Sequence, residues 1–437
     1  MARIVLASLG SLGDLHPAIA LALGLRARGH AVIIATNEMY RSKVNALGLE
    51  FHPLRPDLLA HGEHIVAEIM DGHRGSERLL RKHLFPAVRD MHADLAPIVA
   101  TADLLIASEL VFPAPIFAAI QGLRWVSYQL APVSLFSFHD PPLLPAPDAL
   151  RWLQRGGWLP RVVKPLAKWV SHSWWQPIRE FRAGLGLPPG EHPLFEGKFS
   201  PQLNLALFSS VLQAPQPDWP PHTVQTGFLF FDEETAAGPA SPLPPEVEAF
   251  LAAGEPPIVF TLGSAAVYVA RDFYAESARA AERLGRRALL LLGKNPTPAN
   301  LPSSTLAWDY LPYARIFPRA SVVVHQGGVG TTAQALRAAR PMLVVPFAHD
   351  QFDNAARITR LGVGRTLGRS RYRLPHVARA LAGLLADEHQ AAAAIAVSRQ
   401  LRADKGVETA CNAIERLLRA DIKGAHPPDF LDPPQIA

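Results

Sequence analysis

Cysteine is almost absent from this chain: Cys411 is the only one in 437 residues. That excludes an internal disulfide and any multi-cysteine zinc site, and it suits a reducing compartment, so the cytoplasm is the expected setting. Long hydrophobic runs are missing too. The first apolar run ends at Leu9, too short for a signal sequence or a membrane span, and no later segment reaches spanning length. An excess of one sign of charge is also lacking, with 43 Lys and Arg against 38 Asp and Glu. The formal net charge is +5 and the arginines are scattered, which gives nucleic-acid binding little support but leaves contact with an anionic membrane surface open. What remains is 49% hydrophobic residues with ordinary charge content, a globular composition. The length exceeds what one core organises, so two domains of about 200 residues each are expected.

Strand and helix patterns alternate along the chain. Residues 3–8 read as a buried parallel strand, followed by a turn at 9–13, a helix to residue 28 and a second strand at 31–36. Gly29 stands where a helix stop belongs. A helix over 76–99, a strand at 103–107, a helix at 115–121 and a strand at 125–129 continue a doubly wound α/β pattern. Between residues 131 and 200 the pattern dissolves into proline-rich turns and a stretch holding Trp152, Trp158, Trp169, Trp174 and Trp175, the expected seat of substrate specificity. Strands resume at 204–208 and 223–228. A Pro, Gly and acid-rich stretch, 231–245, reads as a linker between an N-terminal domain (1–230) and a C-terminal domain (246–437) that ends in a helix and, from Ala425, a proline-rich tail. The second domain carries strands at 258–261, 288–292, 304–308, 321–324 and 342–346. Two such domains present the crevices at the carboxyl ends of their strands to each other across a cleft.

Residues 322–332 read VVVHQGGVGTT, a buried strand opening into three glycines and a helix expected near Thr331. Gly327, Gly328 and Gly330 let backbone amides, that of Val329 included, approach an anion, and the helix start adds its positive end, so a diphosphate can be held without a metal. Thr331 and Thr332 offer hydroxyls, and His325 offers a hydrogen bond. A tight turn without a ligand is the alternative. Downstream, Asp350 and Gln351 close another strand and suit sugar hydroxyls, although Asp350 also fits a helix cap. Upstream, Tyr310 suits stacking on a base, with the backbone at Leu311 and Tyr313 reading its edge; a core aromatic fits equally. Ser264 ends a further strand within reach of phosphate or ribose.

In this order, Tyr310-Leu311-Pro312, HQGG and Asp350-Gln351 resemble the nucleotide-sugar signature of family 1 glycosyltransferases, the UDP-glycosyltransferase superfamily with the GT-B fold: two Rossmann-like domains facing across a cleft. The resemblance implies that Tyr310 stacks on the base, that His325 and residues 328–332 hold the diphosphate, and that Asp350 with Gln351 holds the sugar. One departure stands out. Plant members carry a ribose-binding Glu eight residues after the His, where this chain has Ala333.

The first turn, SLGSLGDLHP, resembles bacterial members that carry Gly-Asp where others carry Gly-His, which makes Asp14, beside Gly13, the implied general base. Read from the residues alone, Asp14 is also a helix cap ahead of Pro17. A helix start favours the charged carboxylate and so weakens it as a base. His16 is the rival, an imidazole whose ordinary pKa lies nearer neutrality. Across nearly its whole length the chain is similar to bacterial rhamnosyltransferases that make rhamnolipids. This implies a dTDP-rhamnose or UDP-hexose donor as co-substrate, no cofactor or metal, and a hydrophobic hydroxylated acceptor reached in the cytoplasm or at the inner membrane surface. Sterol, macrolide and flavonoid transferases share these motifs, and nucleotide-sugar 2-epimerases share the architecture. The tryptophan-rich stretch fits an apolar acceptor pocket, a membrane contact, or plain packing.

Overall fold

A computed structural model describes residues 1–58, 63–144, 159–232 and 242–420. Its first sheet is built from β1 (Arg3–Ala7), β2 (Ala31–Thr36), β3 (Glu50–Pro53), β4 (Leu104–Ser108), β5 (Trp125–Gln129), β6 (Asn204–Ala206) and β7 (Thr223–Gln225), laid side by side as β3-β2-β1-β4-β5-β6-β7. Every pairing is parallel. The second sheet holds β8 (Ile258–Thr261), β9 (Ala288–Leu291), β10 (Thr305–Trp308), β11 (Val322–His325), β12 (Met342–Val344) and β13 (Gly364–Thr366), ordered β10-β9-β8-β11-β12-β13 and again all parallel. Strands such as LLIAS and IVFT are buried throughout, as parallel strands covered by helices on both faces require. The expected pair of doubly wound domains is therefore what the chain forms.

Both sheets change direction at a central pair. β1 lies between β2 and β4, and β8 between β9 and β11, so the loops after β1 and β4, and those after β8 and β11, flank the crevice at each switch point. Two edge strands, β3 and β13, escaped the sequence reading. Their residues, EFHP and GRT, are largely half-buried or exposed and lack the apolar run that marks a central strand. The helix expected over 76–99 is broken into Gly75–Arg78, a wide π-helical turn Leu79–Leu84 and Val88–Val99. The interruption contains Pro86, which has no N–H to continue the ladder.

Four helices position the site: α1 (Leu12–Ala27), α2 (Val329–Arg337), α3 (Gln351–Arg360) and α4 (Gly406–Ala420). The last of these leaves the second domain and packs on the first. Ala410, Cys411, Ile414 and Leu417 join Leu21 and Leu25 of α1 in one core, and Gly24 lies so close to Val407 that a Cβ there would approach its Cγ1 to 2.5 Å. Cys411 is fully buried, which pushes its thiol up to about 11. The domains also meet through charge. The Arg357 guanidinium of α3, 2% exposed, reaches Asp353 at 2.7 Å and Asp140 of the first domain at 2.6 Å, while Arg360 takes the other Asp140 oxygen at 2.9 Å. The backbone amide of Leu143 donates to Asp353 at 2.9 Å.

Of the tryptophan-rich stretch, Trp152 and Trp158 lie outside the described residues, as do much of the 231–245 linker and the tail from Ala425. Trp175 packs in the N-terminal core at 5% exposure, whereas Trp169 is 76% exposed. Plain packing thus accounts for one tryptophan and not the other. Among the described residues no helix is long and apolar enough to cross a membrane.

Candidate active site between the two domains

The loop leaving β1 turns into α1 at Ser11, which is the cap: its hydroxyl accepts from Gly13 N at 3.3 Å, and Asp14, three residues on, accepts from Ser11 N at 2.8 Å. The helix therefore starts earlier than expected, and Asp14 sits inside its first turn as the second half of a capping box rather than as the cap itself. Its carboxylate is folded back against Gly10. A Cβ on that glycine, whose φ is +133°, would fall 2.3 Å from Asp14 Oδ2. The Tyr40 hydroxyl donates to Gly10 O at 3.3 Å, and the Tyr128 hydroxyl lies beside Ser8 and Ser108.

Burial in this nest pushes the Asp14 carboxyl up to about 6, against the two Ser11 hydrogen bonds and with help from the charge of Glu109. The helix start was expected to make Asp14 a weak base. Desolvation outweighs it, because a buried carboxylate loses more solvation than a helix terminus returns. His16 follows a different course. Two residues further on, about 200° around the helix, its ring packs on Phe231 with centroids 5.3 Å apart. Burial and the nearby Lys43 drop its imidazole to about 4. It is neutral, as expected, but it is the poorer base and faces the inter-domain segment.

In the second domain, β11 delivers His325 to the cleft floor, fully buried. The amide of Gly327 donates to His325 Nδ1 at 3.1 Å, so in the neutral ring Nε2 carries the proton. That Nε2 is buried and has no hydrogen-bond partner among the described residues, and the same holds for the Thr332 hydroxyl. An orphaned buried donor costs about 1–3 kcal/mol, a cost that an anion accepting from it would offset. Burial drops His325 to about 3, so it offers a hydrogen bond and not a charge. Gly327 needs its φ of +92°, because a Cβ would approach Val344 to 2.7 Å. The helix opens at Val329 with Gly328 as its cap, so the amides of Val329, Gly330 and Thr331 lack helical acceptors, while the Thr332 amide already donates to Gly328 O at 3.0 Å. Gln326 fills the space between Gly328 and Gly263, the neighbour of Ser264. Tyr310 is 50% exposed, Leu311 is buried, and the Tyr313 hydroxyl bonds Thr261 at 2.8 Å while its ring stacks on Phe317.

Asp350 occupies the cap position of α3 but makes no capping bond. Its carboxylate instead accepts from Asn354 at 2.7 Å, and Asn354 also donates to Gly327 O at 2.9 Å. The Gln351 side-chain oxygen accepts from Phe347 N at 2.8 Å and Ala348 N at 3.1 Å, which fixes the loop and leaves only its NH₂ group for a ligand. Burial, followed by the charge of Asp14, pushes Asp350 up to about 7. The charge of Asp14 thus reaches Asp350 from the opposite domain. At the closest approach, a Cβ on Gly330 would lie 3.6 Å from the Cα of Gly13, so the starts of α1 and α2 nearly touch.

Three participants went unnoticed in the sequence. Glu109 leaves β4 beside the Asp14 loop and is held by Lys198 at 2.6 Å and Ser134 at 2.5 Å; an acid directly after a buried parallel strand was the available signal. Asn354 and Tyr128 gave none, because an amide in a helix and a tyrosine in a strand are ordinary.

Two facing doubly wound domains, with a buried carboxylate on one loop and a glycine turn on the other, have the architecture of GT-B glycosyltransferases. The chain belongs to that glycosyltransferase family. Residues 4–109 match the glycosyltransferase family 28 N-terminal domain, and residues 289–415 match the erythromycin biosynthesis protein CIII-like C-terminal domain. The O-mycaminosyltylonolide 6-deoxyallosyltransferase of Streptomyces fradiae is 34% identical over 428 residues, 94% of this chain and 97% of the relative. The solved glycosyltransferase of kitacinnamycin superposes with a TM-score of 0.71 at 20% identity, covering 95% of this chain and 99% of its own. The spinosyn rhamnosyltransferase SpnG, complexed with thymidine diphosphate, superposes at 0.63 with 18% identity, covering 95% of this chain and all of its own.

Proposed function

We propose that this glycosyltransferase moves a hexose, with inversion, from a dTDP-rhamnose or UDP-glucose type donor to a hydroxyl of a lipophilic acceptor such as a hydroxy lipid. The carrying observation is the near contact of the Asp14 and HQGG loops, a desolvated carboxylate on one side and the buried, unpartnered His325 N–H on the other. Asp14 takes the acceptor's hydroxyl proton as that oxygen attacks the anomeric carbon. The bond from that carbon to the diphosphate breaks on the opposite face, and the leaving charge is met by His325, the amides of residues 328–331, the Thr332 hydroxyl and the start of α2. The proton then passes from Asp14 to solvent. A base near pKa 6 suits work at neutral pH. Asp350 and the Gln351 NH₂ group hold sugar hydroxyls, and Tyr310 stacks on the base. No step draws on a metal or a cofactor.

The thymidine diphosphate bound to SpnG supports a dTDP-sugar, and the 6-deoxyallosyl transfer named for the Streptomyces relative supports a deoxyhexose and, as a second reading, a macrolide acceptor. Exposed Leu166 and Trp169 on the helix Leu159–Val170 support contact with a membrane that holds a lipid acceptor. The test is product analysis with a panel of dTDP- and UDP-sugars against lipid and macrolide acceptors. Release of nucleoside diphosphate together with a glycosylated product is expected. No release with any pair overturns the transfer. His325→Ala should weaken dTDP binding by about tenfold or more, the worth of one hydrogen bond to a charged group; unaltered binding would remove His325 from the phosphate site.

A further inference from the structure

A cavity of about 490 Å³, walled by both domains, is lined by Val345, Pro346, Phe347 and Phe352 of the segment that also carries Asp350, which is not in its wall. Its size is that of a small-molecule site, and a domain boundary is where such sites gather. Phe347 and Phe352 give it an apolar wall, His73 closes it from the first domain, and Arg271, Arg369 and Arg373 enter from the second. Gly72 touches the same loop, since a Cβ there would come within 2.9 Å of Phe347 O.

The charge here is out of balance. Three guanidinium groups line the cavity against one carboxylate, Asp272, which stands 3.9 Å from Arg373 with both side chains exposed. Among the described residues neither Arg271 nor Arg369 has a carboxylate within ion-pair distance. Asp71, the nearest acid of the first domain, is taken up by the amides of His73 and Arg74 at 3.0 and 2.7 Å and by Arg78 at 3.7 Å. Arg369 is half-buried and stacked over Phe347 at 4.3 Å, and it donates to Val269 O at 2.8 Å. Burial, and then the neighbouring charge of Arg271, hold its pKa below the usual arginine range, against the weaker pull of Asp71. Arg271 keeps its place with a left-handed φ of 49°. The helices Phe273–Arg283 and Leu374–Leu385 also begin at the rim, where Glu276, in the first turn of one, accepts from Leu374 N of the other at 2.6 Å and so answers the helix ends but not the arginines of the cavity. Like charges held together at the edge of an apolar wall are the arrangement that an anion stabilises, because a guanidinium pairs best with a carboxylate or phosphate.

We propose that this cavity is a second anion site, separate from the donor's diphosphate, that takes a phosphate or carboxylate either free or carried on a small apolar body. The occupant lies against Phe347, whose amide is held by Gln351, and so one residue chain links it to the sugar-binding loop. The test uses the whole protein with dTDP at saturation, which fills the donor site first. Calorimetric titration with inorganic phosphate and with hexyl phosphate is compared across the unaltered protein, Arg369→Gln, and Arg271→Asn, the last chosen because asparagine tolerates the left-handed backbone. The expected result is binding that weakens by about tenfold in each variant, the worth of one charge-assisted bond. Tighter binding of hexyl phosphate assigns the anion to an organic ligand, and equal binding assigns it to free phosphate. Binding of neither probe, or equal binding to all three proteins, overturns the site. If Arg369→Gln melts early, Arg271→Asn at an exposed position carries the test alone. Because dTDP is already bound, a failure here leaves the donor assignment untouched, and a failure of dTDP binding is read separately.

Discussion

Replacing Asp14 with asparagine removes a charge and little else. The side-chain oxygen that accepts from Ser11 N at 2.8 Å is retained, so the capping box survives. The carboxyl rises from 3.8 to about 6 in the folded protein, roughly 2 pH units, which amounts to about 3 kcal/mol borne by the ionised form. A folded pKa above the unfolded one means stability that is fully present below about pH 4 and is lost as pH rises through about 6. Asparagine does not ionise. The variant should therefore match the unaltered protein at pH 4 and exceed it at pH 8, with a melting-temperature gap that opens by roughly 5–10 °C. Turnover should fall by about 10²–10⁴ while dTDP affinity stays the same, and the unaltered enzyme should lose about tenfold in rate per pH unit below about pH 6. Melting curves from pH 4 to 8, read beside single-turnover rates, check both halves. A gap that does not change with pH would refute the desolvated carboxylate, and unchanged turnover would refute the base.

Arg357→Ala leaves Asp353 and Asp140 without their shared cation in a buried setting, so a loss of about 3–5 kcal/mol is expected on thermal unfolding; a change under 1 kcal/mol would show that the pairing contributes nothing net. Gly10→Ala places a Cβ 2.3 Å from Asp14 Oδ2 at a φ of +133°, and turnover should drop well before donor binding does. Turnover equal to that of the unaltered enzyme would mean that the carboxylate need not rest on Gly10. Cys411, buried with its thiol pushed up to about 11, should resist thiol-specific labelling at pH 8 until the protein unfolds; rapid labelling of folded protein would show that α4 undocks.

The doubly wound pair was legible because central parallel strands are short apolar runs closed by Gly or Pro, as at VVVHQGG. Edge strands β3 and β13 were not, since pairing on one side leaves them polar. The candidate donor loops were legible because HQGG and Asp350-Gln351 combine strand ends with side chains that have no ordinary place in a core. The character of Asp14 was hidden. Its helical position argues for a low pKa, and only the packing of Gly10, Tyr40 and Tyr128 around it reverses the sign. Glu109 was marked only by its place directly after β4, and its partner Lys198 is distant in the chain; Asn354, which reaches Gly327 across 27 residues, carries no local mark.

The chain passes from the first domain to the second after β7 and comes back before α4. Two covalent crossings, rather than one, therefore join the halves, and they run side by side, since a Cβ on Gly227 would lie 2.6 Å from Asp404 Cβ; rotation about the line they define is the movement that strains neither. Sliding or separation would first have to strip α4 from α1 and expose the Leu21, Leu25 and Ile414 contact. A turn about that line would part Gly13 from Gly330 while leaving the α1–α4 contact whole.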